Sequence, residues 1–243
     1  MQSNDQQAYD RGTTIFSPDG RLYQVEYARE AVSRGSPTVG VRTAEGVVLA
    51  SLARTRSPLM EADSIEKLHD VDGRIGIGTA GHVADARRLV DVARRHAQRE
   101  RLRYGEAPGV EPVATAVADH IQESTQTGGT RPFGAALLVA GVDPETARPR
   151  LYEVDPSGTP SEWQATAVGS GGDAIRSFLE DQYEQGLGRD TGVSLALEAL
   201  DEGTDGDLDV AELDLATLGV EGIERFDSDA RATALDAADL SPS

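Results

Sequence analysis

The sequence predicts an α+β chain of one domain: two antiparallel sheets face to face, a helix pair on each outer side, and an added helix before the first strand. Three observations carry this. Segments of strand and helix period follow the order strands, two helices, strands, two helices, strand, and paired helices do not supply the single crossovers of a parallel sheet. The strand runs are separated by tight-turn residues, as antiparallel neighbours require. No linker composition or internal repeat interrupts the 243 residues, a length able to bury a full core.

Each element has a local reason. Residues 1–14 lack periodicity and are expected to form a mobile segment. Ser17 is a good N-cap and Pro18 suits the first helical position; Leu22, Val25, Arg29 and Val32 then follow at helical spacing until Gly35 stops the helix. Thr38–Val41 and Val47–Ala50 alternate as strands around a turn at Glu45-Gly46, and Leu68–Val71 with Arg74–Thr79 make a second pair. His82–Tyr104 is strongly helical, with Val83, Leu89, Val92, Ala93 and Ala97 expected inside and arginines outside; Gly105 and Pro108 end it. A helix over Pro112–Thr125 precedes a glycine turn at Gly128-Gly129. Phe133–Val142, Leu151–Val154 and Trp163–Val168 read as strands, with turns at Asp143-Pro144 and Asp155-Pro156-Ser157-Gly158. Helices over Asp173–Gln185 and Thr191–Leu200 and a strand over Leu213–Val220 complete the pattern, followed by an acidic end of helical character.

Composition limits the function classes. There are 23 basic and 42 acidic residues, for a net charge of −19, and no cysteine. Disulfides, thiolate nucleophiles and cysteine-ligated metals are therefore excluded, and so large a negative charge disfavours nucleic acid and anionic membranes. The ten-residue apolar run Phe133–Val142 falls short of the roughly 20 residues of a membrane span. With a polar start and no signal-peptide pattern, the chain is expected to be soluble and cytoplasmic. Lys67 is the single lysine beside 22 arginines, and abundant carboxylates with few lysines suit a salt-rich cytoplasm. Residues 201–243 carry 13 acidic and 2 basic residues, which reads as a solvated face or tail.

Several residues invite a catalytic reading. Gly12-Thr13-Thr14 could be a self-processing site that frees a threonine amine as its own base, but Thr13 precedes a helix instead of opening the first sheet strand. Ser36 stands where such a nucleophile belongs; its amine is a peptide nitrogen, Pro37 follows it, and Ala50–Arg54 offers no supporting carboxylate. Gly169-Ser170-Gly171-Gly172-Asp173 lacks the lysine of a phosphate loop and reads as a strand-to-helix turn. The histidines at 69, 82, 96 and 120 form no HxxxH or HExxH pattern, so no metal site is expected. Trp163 is expected in the core or an interface.

The segments Tyr9-Asp10-Arg11, Phe16–Leu22 and Gln24–Val32 together resemble the N-terminal signature of proteasome alpha subunits. Gly35-Ser36, Ser64–Lys67, Gly81–Arg87, Gly128–Gly134 and Gly169–Gly171 extend the resemblance over residues 8 to 220, closest to the archaeal form. It implies the four-layer αββα sandwich of N-terminal-nucleophile hydrolases, in a domain over residues 15–220 between a gate segment (1–14) and an acidic tail (221–243). It further implies a non-catalytic subunit without cofactor or metal. Such subunits form heptameric rings that cap proteasome beta subunits, gate unfolded substrates and dock the C-terminal tails of an AAA+ ATPase regulator in ubiquitin-independent protein degradation. By the same resemblance Tyr9, Asp10, Arg11, Pro18 and Tyr27 belong to the gate, and Glu26, Arg29, Gly35, Lys67 and His82 to the regulator pocket. Gly128, Gly129, Arg131, Pro132, Phe133 and Gly134 belong to the pore constriction. Departures from the family pattern are His82 at an apolar pocket position, Pro37 after Ser36, and Phe133 where tyrosine is usual. The alternative is a self-processed Thr or Ser hydrolase of the same fold, which would lose residues 1–12.

Overall fold

A strand is buried along its whole length only where both faces of its sheet are covered, and β5 (Ala135–Val142) is such a strand: all eight of its residues are buried. Leu137 and Val139 face helices α2 (Val83–Tyr104) and α3 (Val110–Gln126), whereas Ala136, Leu138 and Ala140 face the other sheet. The computed structural model describes residues 23–240 apart from 56, 58, 62, 63, 127–130 and 205.

The sheet holding β5 runs β3 (Leu68–Asp70), β4 (Ile75–Gly81), β5, β6 (Pro149–Val154) and β7 (Pro160–Glu162), each antiparallel to its neighbour. The second sheet has the order β10-β9-β2-β1-β8, from β1 (Thr38–Arg42), β2 (Gly46–Leu52), β8 (Ala165–Val168), β9 (Leu213–Gly219) and β10 (Gly222–Arg225). Its outer face is covered by α4 (Gly172–Gln182) and α5 (Arg189–Glu202), with Ile175, Leu179, Ala196, Leu197 and Leu200 against Val39, Val41, Val48 and Leu215. Between the sheets lie Leu49, Leu68, Leu138, Leu151, Ala216 and Leu218. This is the αββα sandwich expected, with helix α1 (Tyr23–Ser33) placing Val32 at one end of the inter-sheet layer.

Helix α2 buries Ala86, Leu89, Val90, Ala93 and Ala97 at three- and four-residue spacing and ends at Gly105, whose φ of 77° suits glycine. Val83, expected inside, is 56 % exposed, because the first turn of α2 borders an open groove. Two further expectations need correction. The strand read over Trp163–Val168 is shorter, β8 over Ala165–Val168, and β7 ends just before it at Glu162 in the other sheet: Trp163 N–H donates to the Leu151 carbonyl of one sheet and Arg42 N–H to the Gln164 carbonyl in the other, so the chain changes sheets between adjacent residues. Trp163 is partly exposed at this crossing.

The acidic end is not a tail over its described part. β10 pairs with β9, and helix α6 (Ser228–Ala237), capped by Asp227 accepting from Ala230 N–H, buries Leu235 against the α4–α5 side. Arg231 holds it by donating to the Leu213 carbonyl. The carboxylates thus decorate a folded segment whose few apolar residues dock it.

Candidate functional site

Three glycines let three chain segments meet at one end of the sandwich. A Cβ on Gly35 would lie 2.3 Å from the Gly81 nitrogen, and one on Gly81 (φ 101°) would lie 2.3 Å from the Gly134 carbonyl oxygen. The link between α1 and β1, the end of β4 and the segment before β5 are therefore packed backbone on backbone. From the other side, Ser170 N–H donates to the Gly35 carbonyl at 2.7 Å, which gives the glycine turn at 169–172 a packing role.

Above this floor opens a groove of about 1260 Å³ between α1, the segment 54–67 and the start of α2. Gly35, Lys67, His82 and Tyr27 line it, Tyr27 at 69 % exposure. Lys67 is only 7 % exposed, and its Nζ donates to the Ser36 carbonyl at 3.3 Å. Burial pulls this ammonium down from 10.5 to about 8, against the opposing attraction of Asp214. Burial likewise raises the Asp214 carboxyl. His69, on the same wall, is pushed down by burial, with Glu66 opposing from 3.4 Å. Among the described residues the one hydrogen-bond acceptor of Lys67 is neutral, and such a cation at the edge of a groove can take a carboxylate. Arg34, Arg54, Arg87 and Arg94 also line the walls, together with Glu30, Glu66 and Asp91; Arg34 pairs with Glu30, and Arg94 with Asp91 at 3.9 Å. Nothing in their spacing announced this: they come from three separate segments.

Glu26 and Arg29 do not line this groove. Arg29 reaches Asp155 and Glu26, both at 2.9 Å, so the pair fastens α1 to the turn after β6.

The position of a strand-opening nucleophile is filled by a closed hydroxyl set. Thr38 Oγ1 lies 2.7 Å from Ser51 Oγ and donates to the Thr79 carbonyl at 2.8 Å, while Ser51 Oγ also reaches the Pro37 carbonyl at 2.9 Å. Both residues are fully buried. Among the described residues no cluster of His, Asp or Glu could hold a metal ion.

The profile of the proteasome subunit family matches residues 32–218, and the N-terminal signature of A-type proteasome subunits matches residues 9–31. The chain belongs to the proteasome subunit family, in its alpha class. It is 58 % identical to proteasome subunit alpha 2 of Haloarcula marismortui over 227 residues, 93 % of this chain and 92 % of the relative. It is 57 % identical to proteasome subunit alpha 2 of Haloferax volcanii over 229 residues, 94 % and 91 % of the two chains. With proteasome subunit alpha of Halobacterium salinarum it shares 62 % over 200 residues, 82 % and 78 %.

In this proteasome alpha subunit the expected gate residues Tyr9, Asp10, Arg11 and Pro18, with Thr13, lie outside the described residues, as do Gly128 and Gly129 of the expected pore constriction. Of the remainder of that constriction, Pro132, Phe133 and Gly134 are buried and Arg131 is exposed. Phe133 is 6 % exposed, packed on His120 at 5.7 Å and under the Arg88 guanidinium at 5.7 Å. Arg131 forks onto Asp85 at 2.7 and 2.8 Å, and Asp85 also accepts from Gly134 N–H at 2.9 Å. Burial alone would raise the Asp85 carboxyl, but these bonds outweigh it and hold the group below its usual range. Residues 131–134 therefore anchor the turn to the start of α2.

Proposed function

We propose that this alpha subunit forms the non-catalytic, heptameric outer ring of a 20S core particle in the cytoplasm, stacked on beta subunits. There it gates unfolded substrates and docks the C-terminal tails of an AAA+ ATPase. The observation that carries the docking role is the buried Lys67 at the rim of the groove: an ammonium held at a cost to the fold, hydrogen-bonded among the described residues to the Ser36 carbonyl alone, with open space beside it. A terminal carboxylate would add a second, directly bonded counter-charge to the distant attraction of Asp214. Glu26 and Arg29, which pair with each other and with Asp155 outside this copy's groove, are assigned in this reading to the pocket wall that a neighbouring copy would meet. The buried Thr38–Ser51 pair and the peptide-bonded Ser36 support the non-catalytic reading, since neither offers an exposed hydroxyl with a free amine.

The gate is assigned to residues 1–14, with Tyr27 at its exposed base, and the narrow passage to the turn at 128–134. Deleting residues 2–12 in the assembled particle should speed hydrolysis of long peptides much more than of short ones. Equal rates for both lengths, before and after deletion, would remove the gating role.

A further inference from the structure

Lys67 is bracketed by residues that a distant part of the chain holds. β3 is the edge strand of its sheet, and an edge leaves outward polar groups without a strand partner. The Lys67 carbonyl faces inward and accepts from Thr79 N–H at 3.1 Å. The Leu68 side chain is buried between the sheets, but its backbone N–H and carbonyl point off the edge of β3, and both are met by side chains from the other sheet. Its N–H donates to Asp214 Oδ2 of β9 at 3.1 Å, and its carbonyl accepts from Arg225 Nη2 of β10 at 2.6 Å. Arg225 also reaches Glu66 at 3.4 Å and Asp214 at 3.8 Å. One guanidinium thus grips the residues on both sides of Lys67, and its partner carboxylate is the charge that acts on the Lys67 ammonium.

We propose that Arg225 and Asp214 are a positioning pair that sets where Lys67 presents its ammonium, so that the C-terminal strand takes part in carboxylate docking although it lines none of the groove. The inference rests on the docking role proposed above. A lysine side chain is a point charge on a flexible stem, so its aim depends on how firmly its backbone is fixed. Charge-assisted bonds at both polar groups of the next residue fix it more firmly than an edge strand of three residues could alone. The acidic C-terminal segment then has a reason to be folded, since it delivers one of its two basic residues to this point.

A double-mutant cycle on the assembled particle tests this, with the C-terminal peptide of the cognate ATPase as probe, carrying either a free or an amidated terminus. Arg225→Gln should weaken binding of the free-carboxylate peptide about tenfold, and should change binding by less than about twofold for the amidated peptide or in the Lys67→Ala background. Asp214→Asn, which keeps shape and removes the charge, should give the same pattern and serves if Arg225→Gln particles fail to assemble. Equal weakening of both peptides, or the same loss with and without Lys67, makes the pair a fold brace only and overturns the inference. If Lys67→Ala itself leaves free-carboxylate binding unchanged, the docking role fails and this inference with it.

Discussion

Replacing Lys67 with methionine separates what the fold gains from what the groove needs. Burial moves this ammonium from 10.5 to about 8. At 1.36 kcal/mol per pKa unit, keeping it charged at pH 7 costs the fold about 3 kcal/mol. Methionine keeps most of the stem and removes the charge. It also removes the bond to the Ser36 carbonyl, which returns about 1 kcal/mol. Lys67→Met should therefore stabilise the subunit by about 1–2 kcal/mol at pH 7, raising the melting temperature by about 2–8 °C for a chain of this size. The pH dependence has a definite sign. The folded state releases the lysine proton near pH 8 and the unfolded chain holds it to 10.5, so the unfolded state binds more protons between these values. Wild-type stability should rise across that window and the gap to the methionine variant should close. Thermal unfolding of the purified subunit at pH 7 and pH 10 reads both effects. A variant that melts below wild type at pH 7, or a gap unchanged at pH 10, would refute the reasoning.

Gly35→Ala puts a methyl 2.3 Å from the Gly81 backbone nitrogen, so the α1–β1 link must move off β4; a loss of about 1–3 kcal/mol or more is expected in thermal unfolding. Leu235→Ala should cost about 2–5 kcal/mol by the same measurement, because α6 is docked through this 1 % exposed side chain; a solvated tail would lose nothing. Asp85→Asn should cost about 1.5–3 kcal/mol at pH 7 through the weakened Arg131 fork. Because the Asp85 carboxyl titrates below its unfolded value, that contribution is lost as pH falls through the folded pKa, and the Asn variant should converge on wild type in acid.

The layer order was legible because it rests on periodicity and turn chemistry, which local sequence determines. β1, β2, β5 and β9 and helices α2 to α5 stand within a few residues of their expected places. The change of sheet at Trp163-Gln164 was not legible, since both strands are extended and no glycine or proline separates them. The helical character of the acidic end was legible, and α6 has it, but β10 and the docking of α6 were hidden by charge: Leu235 and Ile223 are too sparse to make a pattern, and their value lies in what they dock on. Within the groove, Lys67 stood out as the single lysine and Gly35 as a helix stop, whereas Asp214 and Arg225 lie some 150 residues downstream and had no local signature. Phe133 read as a channel residue by position, but a ring flanked by two helical partners, His120 and Arg88, is held inside.

The central claim is that the Lys67 groove receives a carboxylate that opens the particle. Hydrolysis of a long peptide by the assembled particle, with and without the C-terminal peptide of its ATPase, tests it in wild type and Lys67→Ala. Wild type should be stimulated by the peptide with a free terminus and not by its amidated form, and Lys67→Ala should keep its unstimulated rate and respond to neither. Full stimulation of Lys67→Ala by the free-carboxylate peptide would contradict the claim.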